Sequence, residues 1–295
     1  MGPLRSLLFV PADRPRFLEK AAGLAVDAVV LDLEDGVAAG DKSRARELAG
    51  AYASTFRQPV WVRVNDVASG EFDADLDALA GLDGLAGLML PKVESGAIVD
   101  EVVRRVDRRS AGRLASGRPL SFIAQIESAR GVLATFEIAS HERVVSVCLG
   151  GARDGDLQTD LGAEWSIDGP ELLYTRQHVL LAARAARISW PLDGVFADIR
   201  DSKGFARDTE LSRRLGYRGR TVIHPEQVAV ANRIYAPTTA QLASAQAVID
   251  AYAKASAQGR GTVAVDGRLV DVAMVRAARR LIAANESSDP PEPGS

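Results

Sequence analysis

Charged residues stand where short apolar runs end: Leu31-Asp32-Leu33-Glu34-Asp35, Val62-Arg63-Val64-Asn65, Pro91-Lys92-Val93-Glu94, Gln125-Ile126-Glu127-Ser128 and Ile223-His224-Pro225. A charge at the end of a buried strand is costly without a partner. Glu127 and the carboxylates of Gly150-Gly151-Ala152-Arg153-Asp154-Gly155-Asp156 close neighbouring runs, so they can share a divalent cation. Mg²⁺ suits such a pair, since it takes oxygen ligands and keeps several waters. No His/Cys cluster points to zinc. The other reading of Glu127 is a cap on a helix starting near Ser128.

Arg63, set between apolar residues, needs an anion. A substrate carboxylate or enolate oxygen would accept its paired donors; an internal salt bridge to Glu34 or Asp35 would also satisfy it. Asp32, Glu34 and Asp35 crowd one strand end, where Arg63, Lys92 or metal-bound water would offset them. Lys42 and Arg46, spaced i, i+4, predict a solvated or salt-bridged helix face. Arg14 and Lys20 flank the first strand–helix junction, where cations can hold the phosphates of a large cofactor or merely face solvent. His224 either contacts substrate or pins the following helix, and His141 and His178 read as structural.

Eight apolar runs position these residues: Leu4 to Pro11, Asp27 to Leu33, Val60 to Val64, Gly87 to Pro91, Ser121 to Glu127, Arg143 to Gly150, Leu192 to Ile199 and Arg220 to His224. Continuous apolar runs suit strands covered on both faces, and amphipathic segments such as Pro15 to Gly23, Asp41 to Phe56 and Glu171 to Ile188 lie between them. The alternation predicts an α/β fold, a (β/α)8 TIM barrel over residues 1–236 whose strand C-termini open on one functional face. A doubly wound open sheet is the rival, but no Gly-rich dinucleotide loop follows the first run. Residues 237–286 predict a C-terminal helix and lid extension. It comprises a long Ala-rich helix, a hairpin turning at Asp266-Gly267 and a last helix from Asp271 to Ala284, placed over a site or at a subunit interface. The Pro/Ser/Gly-rich residues 287–295 predict a disordered tail.

The net charge of −3 argues against a nucleic-acid partner, which demands a dense basic surface. The one cysteine, Cys148, lies in an apolar run and predicts a buried structural thiol. No stretch reaches the roughly 18 apolar residues of a membrane span. Leu7 to Val10 is too short for a signal-peptide core, so the cytoplasm is the expected location.

Together the motifs resemble the citrate lyase beta-subunit-like proteins of the malyl-CoA/citramalyl-CoA lyase family, within the 2-oxo-acid aldolase superfamily. They are Leu8-Phe9-Val10-Pro11 with Arg14 and Lys20, Asp32-Leu33-Glu34-Asp35 with Lys42 and Ala45-Arg46, Arg63-Val64-Asn65, Pro91-Lys92-Val93-Glu94, Ile126-Glu127 with Gly131, Asp156 to Gly162, and Ile223-His224-Pro225 with Gln227. The resemblance implies a barrel assembled as a homo-oligomer (trimer or hexamer), Mg²⁺ as cofactor, and a coenzyme A thioester and 2-oxo acid as substrate and product. It implies Glu127 and Asp156 as metal ligands. Asp154 is the alternative, because Gly-Ala-Arg-Asp-Gly-Asp departs from the family's Gly-Ala-Glu-Asp. It implies Arg63, Glu127, Glu34, Asp35, Lys92 and His224 around the substrate, Phe9, Arg14 and Lys20 on the CoA portion, and Asp271 as the acid/base on a lid reaching a neighbouring subunit. An N-cap for the last helix is the other reading of Asp271. The implied reaction is reversible carbon–carbon cleavage of malyl-CoA or citramalyl-CoA. The rival settings are a citrate lyase subunit working with an acyl carrier protein, a CoA-independent 4-hydroxy-2-oxo-acid aldolase, and a non-catalytic ligand-binding protein.

Overall fold

A computed structural model describes residues 2–82, 84–109, 119–265 and 267–286. Two compact units divide the chain, Leu4–Ile234 and the part beyond Ile234 with the extreme N-terminus. In the first, eight parallel strands close in chain order: β1 (Ser6–Pro11), β2 (Ala28–Asp32), β3 (Val60–Arg63), β4 (Leu85–Leu90), β5 (Ser121–Ile126), β6 (Val144–Leu149), β7 (Leu192–Asp193) and β8 (Gly219–Val222). The expected (β/α)8 barrel is what forms. Between the strands run α1 (Pro15–Ala22), α2 (Lys42–Ala53), α3 (Phe72–Leu79), α4 (Gly96–Asp107), α5 (Ala129–Leu133), α6 (Thr135–Ala139), α7 (Asp156–Leu161), α8 (Pro170–Ala185) and α9 (Ser202–Leu215). α10 (Pro225–Tyr235) follows β8.

The continuous apolar runs are needed because alternate residues fill the barrel while their neighbours pack under the helices. Leu7, Val30, Trp61, Met89, Ile123, Cys148 and Leu192 form one buried cluster in the barrel. Trp61 is accommodated by the absence of a side chain at Gly87, where a Cβ would lie 2.4 Å from the indole. Burial pushes the Cys148 thiol up to about 12, so it is an inert packing group, as its apolar context predicted.

The expected run Leu192 to Ile199 pairs over only two residues. Arg220 explains the early exit: its Nε and Nη2 donate to the Gly194 carbonyl at 3.2 and 2.8 Å. Phe196 then turns to meet Phe205, ring centroids 5.9 Å apart. Behind this bend Asp208 bridges two buried guanidiniums, 2.8 Å from Arg220 and 2.7 Å from Arg176. Arg176 also lies 3.5 Å from the buried Asp193.

Beyond Ile234, α11 (Thr239–Ala257) opens with a capping box between Thr238 and Gln241. The short strands β9 (Val263–Val265) and β10 (Arg268–Val270) pair antiparallel, and α12 (Val272–Glu286) packs on α11. These are the helix–hairpin–helix elements expected there; Asp266 of the turn and the expected tail over 287–295 lie outside the described residues. Among the described residues no helix is long and apolar enough to cross a membrane.

Burial pushes the Asp208 carboxyl up, but the charges of Arg220 and Arg176 outweigh it and hold the group below the usual carboxylate range. Its stabilisation is therefore complete above its unfolded pKa of about 4 and is lost as pH falls through the lower folded value. Asp208→Asn leaves two buried guanidiniums undercompensated and should cost about 3 kcal/mol in urea unfolding at pH 7. It should also flatten the acid limb of the stability–pH curve.

Candidate active site

Parallel register sets Asp32 beside Arg63 at the C-terminal ends of β2 and β3. The Arg63 Nε and Nη2 donate to the two Asp32 carboxylate oxygens, each at 2.7 Å. Nη1 lies 3.0 Å from Glu34 and 4.0 Å from Asp35. The guanidinium stacks on Phe9, 4.7 Å from the ring centroid. Internal pairing is thus realised, with Asp32 as the principal partner in place of Glu34 or Asp35. Burial works against the Arg63 charge, but Asp32, Glu34 and Glu127 outweigh it and raise its pKa, so the cation is permanent. The same Asp32 oxygens accept the Glu34 and Gly36 N–H groups at 3.0 and 2.9 Å, which folds the chain back after β2.

Lys42 is more than a face of α2. Its ammonium donates at 2.7 Å to the carbonyls of Leu33 and Glu34 and to Asn65 Oδ1, fastening the β2 loop to the β3 loop. Arg46 is salt-bridged as expected, to Glu71 and to the fully buried Asp75. Asp75 also accepts the backbone and side-chain N–H of Asn65 at 2.7 Å. The sequence gives no local sign of this role, since Asp73, Asp75 and Asp77 look alike on α3.

Glu127 does not cap the next helix; Ser128 does, accepting the Gly131 N–H at 3.1 Å. The Glu127 carboxylate accepts the Lys92 backbone N–H at 3.0 Å and the Gln125 amide at 3.1 Å. Gly150 makes room for it, because a Cβ there would lie 2.4 Å from Glu127 Cγ. Burial pushes the Glu127 carboxyl up to about 7, Arg63 and the Lys92 N–H pull against this, and Glu34 and Asp156 add to it. Gln125 carries no charge, so nothing local marks its side chain within that strand end. Two residues before Glu127, it falls on the same strand face, and its buried carbonyl oxygen has no partner among the described residues.

Lys92, at φ 52°, sends its ammonium to Glu34 at 2.9 Å, Asp156 at 3.3 Å and Asp35 at 3.8 Å. Burial lowers the Lys92 pKa, but the Glu34 hydrogen bond and the charges of Glu34, Asp35 and Asp156 outweigh it and raise the value overall. For Glu34 burial dominates and raises the carboxyl pKa against the pull of Arg63 and Lys92. Asp156 is the first residue of α7, where a carboxylate also suits the helix dipole. Asp154 points elsewhere in its bonding: its N–H donates to Gln158 and its carboxylate lies 3.5 Å from Arg153.

A cavity of about 740 Å³ opens over these strand ends, and Phe9, Lys20, Asp35, Arg63, Glu127, Asp154, Asp156 and His224 all line it. Glu34 and Lys92 brace it through Arg63, Glu127 and Asp156. Leu24, Val195, Ile199 and Ile223 give it apolar walls. His224 accepts the Glu226 N–H at 3.3 Å, so it both faces the cavity and pins α10. Arg14 lines a separate depression with Arg16, Phe17 and Arg44. His141 lies 3.5 Å from Asp100, and His178 packs against Tyr174. Asp271 lies in the extension, where its carboxylate accepts the Ala273 and Met274 N–H groups at 2.9 and 3.0 Å and caps α12.

The donor set fits Mg²⁺. Among the described residues no three His, Cys, Asp or Glu side chains converge as a cage. Glu127 and Asp156 instead offer two carboxylates near open space, which leaves positions for water and substrate oxygens. The raised Glu127 pKa comes first from burial, which disfavours the ionised form.

In protein stripped of divalent cations, Glu127 should titrate near 7 by carboxyl ¹³C NMR, and Glu127→Gln should abolish that transition. Its folded pKa lies above the unfolded one, so folding stability should fall as pH rises from the ordinary carboxylate range through about 7. The variant should lose that slope.

Residues 5–225 match the family model described as HpcH/HpaI aldolase/citrate lyase. Citrate lyase subunit beta of Leuconostoc mesenteroides subsp. cremoris is 34% identical, over 94% of this chain and 92% of its own. The (3S)-malyl-CoA thioesterase of Cereibacter sphaeroides strain KD131 is 35% identical, over 97% and 95%. The crystal structure of CitE from Mycobacterium tuberculosis, in complex with magnesium, acetoacetate and coenzyme A, superposes with a TM-score of 0.76 at 32% identity, covering 97% of this chain and 98% of that one. Barrel, strand-end charges and full-length similarity agree: the chain belongs to the HpcH/HpaI aldolase/citrate lyase family.

Proposed function

We propose that this protein is an Mg²⁺-dependent carbon–carbon lyase that reversibly cleaves a carboxylated 3-hydroxyacyl-CoA, such as malyl-CoA or citramalyl-CoA, into acetyl-CoA and a 2-oxo acid. One observation carries the reading: the Glu127 carboxylate, held by the Lys92 N–H and the Gln125 amide, faces a large, predominantly apolar cavity that Asp156, paired with Lys92, also lines. Glu127 and Asp156 are the residues to hold the cation. Bound there, it supplies Lewis-acid polarisation of the hydroxyl and carboxylate oxygens of the acid half.

Arg63 contributes a fixed positive charge. Asp32 and Phe9 lock the guanidinium, so no reorganisation is needed when negative charge develops beside it. In cleavage the substrate hydroxyl gives its proton to water and becomes the carbonyl of the 2-oxo acid. The bond to the thioester-bearing carbon breaks, and its electron pair forms the acetyl-CoA enolate. Asp271 delivers the proton that converts this enolate to acetyl-CoA, and in condensation it removes a methyl proton. This role follows the family resemblance and assigns the extension to the site of a neighbouring subunit in a cytoplasmic trimer or hexamer. Such a base needs water excluded from a weakly acidic carbon acid. Phe9, Arg14 and Lys20 hold the CoA portion, and Glu34, Asp35, Lys92 and His224 surround the acyl end.

The similarity to a citrate lyase subunit and to a malyl-CoA thioesterase favours two neighbouring settings, an acyl-carrier-bound thioester and thioester hydrolysis. Product analysis separates them. Malyl-CoA and citramalyl-CoA should give acetyl-CoA plus glyoxylate or pyruvate with Mg²⁺ and nothing with EDTA. Free CoA with malate would instead assign hydrolysis, and turnover only of carrier-bound thioesters would assign the complex. Asp271→Asn should lower kcat by at least about a hundredfold while leaving Mg²⁺ affinity nearly unchanged; unaltered kcat would remove Asp271 from the mechanism.

A further inference from the structure

We propose that Lys92 is the counter-cation of the candidate metal site: it competes with a divalent cation for Asp156 and, once displaced, serves the anionic acyl substrate. The inference rests on the function proposed above. Lys92 is the residue from which both candidate ligands hang, Glu127 from its backbone N–H at 3.0 Å and Asp156 from its ammonium at 3.3 Å. Its backbone sits in the left-handed region, at φ 52°. A lysine holds that conformation when its surroundings over-determine it, and such strain gathers at functional sites.

Arg63 pairs with Glu34 and Asp35, Lys92 with Glu34, Asp35 and Asp156, and the two cations differ in freedom. Arg63 is committed to Asp32 through both ends of its fork, with its side chain 11% exposed. Lys92 is 36% exposed and carries a compact charge on a flexible stem. A divalent cation taken up by Asp156 repels an ammonium already bonded to that carboxylate, and the divalent charge doubles the repulsion of a unit pair. The ammonium must therefore leave Asp156, keep its 2.9 Å bond to Glu34, and present its remaining donors at the cavity edge. Cation binding and anion binding become linked through one side chain, and by linkage each strengthens the other.

The test is Mn²⁺ binding by EPR on the full chain, with Mg²⁺ in competition, for Lys92→Met, Lys92→Asn and Lys92→Arg. Asparagine tolerates the left-handed backbone and removes the charge even if methionine fails to fold there. Both neutral variants should bind Mn²⁺ about tenfold more tightly than the unsubstituted protein when no organic ligand is present, and Lys92→Arg should stay within about threefold. The increase in Mn²⁺ affinity caused by adding glyoxylate or pyruvate should shrink in the neutral variants. Equal or weaker Mn²⁺ binding by the neutral variants overturns the proposal while leaving the lyase reading intact. Failure of the unsubstituted protein to bind Mn²⁺ overturns both.

Discussion

The pairing of Asp32 with Arg63 is the constraint on which the barrel mouth depends. Two opposite charges at adjacent strand ends, in register, satisfy one another with two 2.7 Å hydrogen bonds. Asp32 has acceptor capacity left for the Glu34 and Gly36 N–H groups, and so sets the loop that carries Glu34 and Asp35. Glu34 then reaches Arg63 on one side and Lys92 on the other. Lys92 passes the organisation to Glu127 and Asp156. Ion pairs run from Asp32 through Arg63, Glu34 and Lys92 to Asp156, while Glu127 is held by neutral N–H donors.

A second ionic network does different work. Asp193 of β7 and Arg220 of β8, with Arg176 and Asp208, are largely buried and outside the cavity lining. Burying such charges is costly, and the gain is in geometry. Arg220 takes the Gly194 carbonyl, and the chain leaves the ladder after two residues. Val195 and Ile199 thereby become cavity walls instead of strand residues. One network fixes charge at the mouth; the other shapes the apolar side of the cavity.

Most of the barrel was legible from eight continuous apolar runs, because parallel strands covered on both faces leave that signature. The strand-end charges were legible for the complementary reason: a buried charge has to be explained. Less legible were residues whose partners are remote in sequence. Lys42 looked like a surface cation, yet it closes onto Asn65, 23 positions away. Asp75 resembled its acidic neighbours on α3, and Gln125 was hidden inside an apolar run.

The sequence by itself determined the fold class and the family, since periodicity and motif order are local properties. Only the tertiary structure decided which charges neutralise one another: Arg63 with Asp32 foremost, Lys92 with Glu34 and Asp156, Glu127 with a backbone N–H. It also decided that Ser128, not Glu127, caps the helix, which leaves the Glu127 carboxylate to the cavity. The physical reason is register. Barrel closure sets which strand ends lie side by side, and a Coulombic partner is chosen by distance across strands rather than by position along the chain.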